Sequence, residues 1–225
     1  MSRMRLSFVA GMAVLLSACA SGPTPPAWQA NAKTSLDAYI EAWLRGETRL
    51  ANAAFARARG ELASTGQAEQ VAVAELTRCA LDVASVAAAE GDSCPGFAPL
   101  AADAGERSRA YAAFLTGRAV DSSLLPAQYG AFSGAASLSR IEAPLPRLIA
   151  AGVLLRRNAL PPEGVALAVE TASAQGWRRP LLAWLGVQAR VASASGDVAL
   201  AAQARRRAAL LGGIHGNSAA PPDSP

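Results

Sequence analysis

The sequence contains only one histidine, one lysine and three cysteines among its 225 residues. The histidine, His215, lies in the Gly- and Pro-rich stretch GGIHGNSAAPPDSP at the end of the chain. This scarcity excludes Ser-His-Asp and Cys-His catalysis and any metal site with several His ligands. The chain also lacks a G-x-S-x-G segment, a Gly-rich phosphate loop and an H-E-x-x-H segment. We therefore expect a protein that is not an enzyme, with no cofactor, no bound metal and no small-molecule substrate.

A strong excess of one charge is also missing. There are 21 Lys and Arg side chains against 17 Asp and Glu, and without Arg3 and Arg5 near the start the balance is 19 against 17. Nucleic-acid-binding proteins carry a clear basic excess, because they must neutralise a row of phosphates. The sequence thus predicts no nucleic-acid partner.

Residues that favour strands are few, and no strand-like alternation of polar and apolar residues persists. Alanine, the best helix former, makes up about a quarter of the chain. Apolar residues spaced by three and four predict an all-α fold of antiparallel helical pairs over residues 28–212. Nine helices are expected, near 28–45, 47–65, 67–90, 106–116, from Pro126 to about 139, 145–157, from Pro162, around Pro180, and 198–211.

The amino-terminal residues MSRMRLSFVAGMAVLLSACASG begin with two arginines and continue with an uncharged apolar run, Leu6 to Leu16. That run is too short for a membrane-spanning helix, which needs roughly 20 residues, and is typical of a signal peptide. The residues Leu16-Ser17-Ala18-Cys19 resemble the lipobox of bacterial lipoproteins.

The resemblance implies that residues 1–18 are a signal peptide and that Cys19 is lipidated. Three acyl chains would then anchor the protein, since two or more chains hold a protein stably on a membrane. Ala20 in place of Asp favours the outer membrane, with the protein on its periplasmic face. Residues 19–27, rich in Pro and small side chains, would form a flexible tether, and residues 213–225 a disordered tail. The alternative is a secretory signal that leaves Cys19 as an ordinary thiol.

The other two cysteines, Cys79 and Cys94, form an even pair in what would be an oxidising compartment, so a disulfide is expected. A closed loop of about 15 residues would contribute ~3 kcal/mol in the chain-entropy model. If the third helix runs on to Glu90, the chain must double back before Cys94 comes within reach of Cys79.

A short motif recurs at Gly46 (GETRLANAAFARA), Gly105 (GERSRAYAAFLTG) and Gly196 (GDVALAAQARRRA). The order of Gly, acidic, small, aromatic and small residues resembles the turn and second helix of a tetratricopeptide repeat, although Arg205 occupies the aromatic position of the third copy. Because the copies are not spaced by multiples of 34 residues, both a tetratricopeptide-like α-solenoid and an irregular α bundle stay open.

The segment GWRRPLLAWL, residues 176–185, holds two tryptophans and two arginines. Trp177, Arg178 and Arg179 are therefore candidates for binding a partner. Alternatively, Trp177 could fix the entry to its helix while Trp184 fills the core.

Two further sets of charged residues have less specific patterns. Arg156 and Arg157, with Arg205, Arg206 and Arg207, could touch lipid phosphates or form a solvated face that suits the helix dipole. The carboxylates Glu41, Glu61, Glu75 and Glu170 fall at positions that we expect to face solvent.

Together these features predict a lipid-anchored, non-catalytic envelope protein that binds another envelope protein or serves as a scaffold. Overall the chain resembles the Ala-rich lipoproteins of proteobacteria. Two alternatives remain: a structural lipoprotein without a specific ligand, and a carboxylate-based envelope glycan hydrolase.

Overall fold

The computed structural model describes residues 26–87 and 94–212. Cys19, the predicted signal peptide, nearly all of the predicted tether and the predicted tail lie outside these residues. The described residues form eight α-helices and no strand, so the all-α prediction is confirmed. The helices are α1 (Ala27–Arg45), α2 (Thr48–Ala63), α3 (Ala68–Ala84), α4 (Glu106–Leu115), α5 (Pro144–Arg156), α6 (Pro162–Ala174), α7 (Arg178–Ala194) and α8 (Val198–Gly212).

Short links between contacting neighbours make α1–α2, α6–α7 and α7–α8 antiparallel hairpins. At all three links a glycine provides the left-handed backbone that ends the first helix, with φ of +87° at Gly46, +64° at Gly176 and +81° at Gly196. None of the described helices is both long enough and apolar enough to span a bilayer.

The three copies of the recurring motif do not share one structural role. Gly46 and Gly196 lie in helix–helix turns with positive φ, whereas Gly105 is an extended residue, φ −65° and ψ 161°, directly before α4. The motif therefore marks two hairpins, and a tetratricopeptide array stays a hypothesis.

The core consists of two apolar clusters that share α3. The smaller cluster packs α1 and α2 against α3 around the buried Tyr39 and Phe55. The larger one packs α3 to α8 around the buried Trp184 and Phe114. Trp177, at the start of α7, packs against both clusters and so links them.

The predicted helix from Pro126 to about residue 139 is wrong. This stretch forms two short 3-10 turns, Ala127–Tyr129 and Ala135–Arg140. The glycines at 130 and 134 interrupt the pattern, and Gly134 has φ +134°, which no helix allows. Tyr129 and Leu138 nevertheless reach the core, which explains the apolar spacing that suggested a helix.

The third helix is shorter than predicted, because α3 ends at Ala84 rather than near Glu90. The amide of Ala87 donates to the carbonyl of Asp82 at 2.9 Å, and the amide of Val86 donates to the carbonyl of Val83 at 3.1 Å. This pair of bonds is a Schellman cap, and it puts Val86 in the left-handed region at φ +49°. A β-branched residue is rarely found there, which is why the sequence did not predict this helix end.

The spacing of apolar residues predicts Leu50 and Val73 on the inner faces of their helices, but both side chains point outward. Leu50 on α2 is 63% exposed and Val73 on α3 is 48% exposed. Alanine makes up three of the five buried residues of α2 and four of the ten of α3, and its small side chain lets neighbouring helices approach closely.

Candidate functional site

An open groove of about 940 Å³ runs along α4. One wall is the outer face of α4, and the other is the segment that follows Cys94. Its surface is mostly apolar, and the charged side chains Glu106, Arg109 and Arg118 contribute to its lining. The remaining lining residues are Cys94, Phe97, Ala98, Ala101, Ala110, Ala112, Ala113, Thr116 and Leu124.

The second wall is attached to α3 at Cys94. Cys79 and Cys94 lie at disulfide distance, with their Cα atoms 5.4 Å apart, and both are buried. The sequence predicted this pairing. The early end of α3 removes the geometric difficulty that a longer helix would have created.

The same wall contacts the buried carboxylate of Glu75 and its ion-pair partner Arg78. Gly96 lies so close to Glu75 and Arg78 that a Cβ atom at position 96 would overlap both side chains. Glu75 is only 4% exposed and accepts from Arg59 Nε at 2.9 Å, while Arg78 Nη2 lies 2.5 Å from its other oxygen. The expectation that Glu75 faces solvent is therefore wrong: its carboxylate is buried, and two arginines whose side chains are 49% and 40% exposed compensate its charge.

Charged side chains from other helices fix both ends of α4. At its start, Glu69 on α3 accepts from the Gly105 amide and from the Ser108 hydroxyl, both at 2.6 Å. At its end, Arg156 donates to the Leu115 carbonyl at 3.0 Å. An anion at the first turn and a cation at the last turn both suit the helix dipole. These contacts at both ends hold α4 in position as one wall of the groove.

No sequence pattern indicated the role of Glu69. Its partners lie 36 and 39 residues further along the chain, so no local pattern records the contact. The contact of Arg156 with the end of α4 was not predictable either, because Leu115 lies 41 residues earlier in the chain. Arg157 acts in the same way on the turn after α4, where it donates to the carbonyls of Gly117 at 2.7 Å and Arg118 at 2.6 Å.

The three residues predicted for partner binding make contacts within the chain. Arg179 lies over the Trp43 ring, 4.0 Å from its centroid, and donates to the Trp43 carbonyl at 2.8 Å and to Thr48 Oγ1 at 2.7 Å. Arg178 donates to the Leu211 carbonyl at 2.8 Å and 3.0 Å. Trp177 is half-buried between the two clusters. The structure therefore places them away from the α4 groove, as a clamp between helix ends.

Two of the three arginines of α8 also contact neighbouring helices. Arg205 donates to Ser193 Oγ at 2.9 Å, and Arg207 lies 3.5 Å from Ser173 Oγ. Arg156 and Arg157 contact backbone carbonyls at and just after the end of α4. Contact with lipid phosphates stays a hypothesis.

The chemistry available in the groove is limited. Among the described residues of the lining, Glu106 is the one carboxylate, so this part of the groove offers no pair of facing acids of the kind glycosidases use. In the described part of the chain, no three His, Cys, Asp or Glu side chains come together in a way that could hold a metal ion. Comparisons with protein families, with curated proteins and with solved structures find no match to this chain.

Replacing Arg179 with alanine tests the clamp at the start of α7. The Arg179→Ala variant loses two hydrogen bonds and the stacking on Trp43, so we expect the free energy of unfolding to fall by about 2 kcal/mol in urea denaturation. Arg206→Ala, at an exposed position on α8, is the matched control and should change it by less than about 0.5 kcal/mol. Equal losses in both variants would contradict the clamp.

Proposed function

We propose that this chain is a lipid-anchored lipoprotein of the bacterial envelope that docks a partner protein in the α4 groove and does no chemistry. The anchor is Cys19, the groove faces the periplasm, and Ala20 directs the protein to the outer membrane. The observation that carries the docking role is the open apolar groove, whose two walls are fixed by capping side chains and by the cysteine pair.

The composition of the groove supports protein docking over catalysis. Small side chains on both walls, such as Ala98 and Ala113, let a partner's backbone approach closely. Arg109 and Arg118 supply charge at the edge of an apolar patch, which is the usual anatomy of a protein interface. Within the described lining, Glu106 has no paired acid and so forms no general acid–base couple.

The anchor has a direct test. In cells fed labelled palmitate, the full-length wild-type protein should carry label and sediment with membranes, because the Cys19 thiol receives the lipid. Cys19→Ser should lose both the label and the sedimentation. Equal labelling of the two proteins would contradict lipidation at this position.

The docking role is tested by cross-linking in the envelope. A photo-reactive side chain at Arg118, an exposed residue at the groove, should give a discrete cross-linked species. The same side chain at Ala53, exposed on α2, is the position control and should give none. Adding Ala113→Arg, which fills the groove, should reduce the Arg118 product at least tenfold.

Two results would count against docking. Diffuse, equal products from Arg118 and Ala53 would favour a structural lipoprotein without a specific ligand. A discrete product that survives Ala113→Arg would mean that the partner sits elsewhere.

A further inference from the structure

Three arginine side chains converge on the turn that follows α4. Arg156 donates to the Leu115 carbonyl at 3.0 Å, and Arg157 donates to the carbonyls of Gly117 at 2.7 Å and Arg118 at 2.6 Å. The third arginine is Arg118 itself. We call Arg118, Arg156 and Arg157 the arginine triad. The backbone contacts gather three positive charges on one short stretch of chain.

The arginine triad adjoins the carboxyl end of the α4 groove. Arg118 is exposed and lines the groove, and its Nε donates at 3.3 Å to the hydroxyl of Thr116, which is also a lining residue. Arg157 is exposed as well, and Arg156 is half-buried. An anionic group of a molecule that lies in the groove can therefore reach the triad at this end.

The negative charges around the arginine triad do not balance it. No carboxylate lies within 4 Å of these three side chains in the described structure, although Asp82 of α3 acts on Arg156 from a longer distance. The carboxyl ends of α4 and α5 meet here, and each contributes about half a negative charge. Three guanidinium groups, which stay charged at neutral pH, exceed these contributions even with Asp82 counted in full.

The other end of the groove has a different charge. Glu106 lines the groove in the first turn of α4, and directly before it Glu69 accepts from the Gly105 amide at 2.6 Å. Arg109, one turn further along α4, adds one positive charge to the lining. The groove is thus mixed in charge at its start and basic at its end, with small apolar side chains between.

We propose that the partner docked in the α4 groove presents an apolar segment followed by side-chain carboxylates, and that these carboxylates bind the arginine triad. The inference rests on the proposed docking function, to which it adds the chemistry of the partner and its direction in the groove. The apolar segment lies along the small side chains of α4 and of the opposite wall. The acidic residues lie beyond Thr116, where the positive charge is in excess.

The contacts with backbone carbonyls also prepare the arginine triad for a ligand. A guanidinium group has several N–H donors, arranged to fit the two oxygens of a carboxylate. Arg157 uses Nε and Nη2, and Arg156 uses Nη1, for carbonyls of the chain itself. Other N–H groups of both side chains can therefore bind a carboxylate. Because the guanidinium groups are already held in position, less conformational entropy is lost on binding.

The test places a photo-reactive side chain at Ala98, an exposed residue of the groove lining, in the full-length protein in the envelope. We expect a discrete cross-linked species. Mass spectrometry should identify a cross-linked partner peptide that carries clustered Asp or Glu residues beside an apolar stretch.

Charge variants of Arg118 then measure the contribution of the triad. Arg118→Glu should reduce the yield of the cross-linked species about tenfold, because the reversed charge repels the carboxylates. Arg118→Gln should give a smaller loss, and Arg118→Lys should keep most of the yield. Arg206→Glu makes the same charge change at an exposed position on α8 and should leave the yield unchanged. The urea midpoints of all four variants should match that of the parent protein.

Three results would overturn the proposal, and they separate it from the docking function. A discrete species that Arg118→Glu leaves unchanged, or whose partner peptide lacks acidic residues, would leave docking intact and remove the role of the triad. Absence of a discrete species would overturn both. Purified Cys19→Ser protein that binds phosphatidylglycerol vesicles, and loses this binding with Arg118→Glu while cross-linking stays unchanged, would show that the triad takes lipid phosphates instead.

Discussion

The carboxyl end of α3 is the point on which the rest of the structure depends. Two indoles from different helices donate to it: Trp184 of α7 to the Ala84 carbonyl at 2.9 Å, and Trp43 of α1 to Ser85 Oγ at 3.2 Å. A helix end leaves unpaired carbonyls, and burying them without partners is costly. The Trp184 contact satisfies one such carbonyl, and the two indole contacts bring α1 and α7 to the same helix end, where the two apolar clusters meet.

Arginine plays a related part elsewhere in the fold. Arg156, Arg178 and Arg179 each donate to a backbone carbonyl at or next to the end of another helix. Each contact joins two helices and places positive charge where the dipole favours it. In a core built largely of alanine, where each side chain buries little apolar area, such polar links carry a larger share of the specificity of packing. The contact of Arg156 with Leu115 also holds the end of α4, which forms one wall of the groove.

The sequence predicted the helices well where apolar residues recur every three or four positions, as in α1, α2 and α6. It failed between Pro126 and residue 139, because buried Tyr129 and Leu138 imitate helical spacing across two glycines. It also failed at Glu75 and Val73, since alanine-rich helices leave several faces that could be inside. The cysteine pairing was predictable from the count of cysteines, but the groove beside it was not. The groove depends on Glu69 and Arg156, whose partners are distant in sequence.

We infer that the α1–α2 hairpin and helices α5 to α8 form one cooperative unit, joined at the end of α3 and by the clamp at the start of α7. The most direct test is native-state hydrogen exchange in increasing urea, with amides of α2 and α6 followed separately. The account predicts that the most protected amides of both helices open with the same free energy and the same urea dependence. Opening of α2 at clearly lower free energy, while α6 stays protected, would show that the two clusters are separate units and would contradict it.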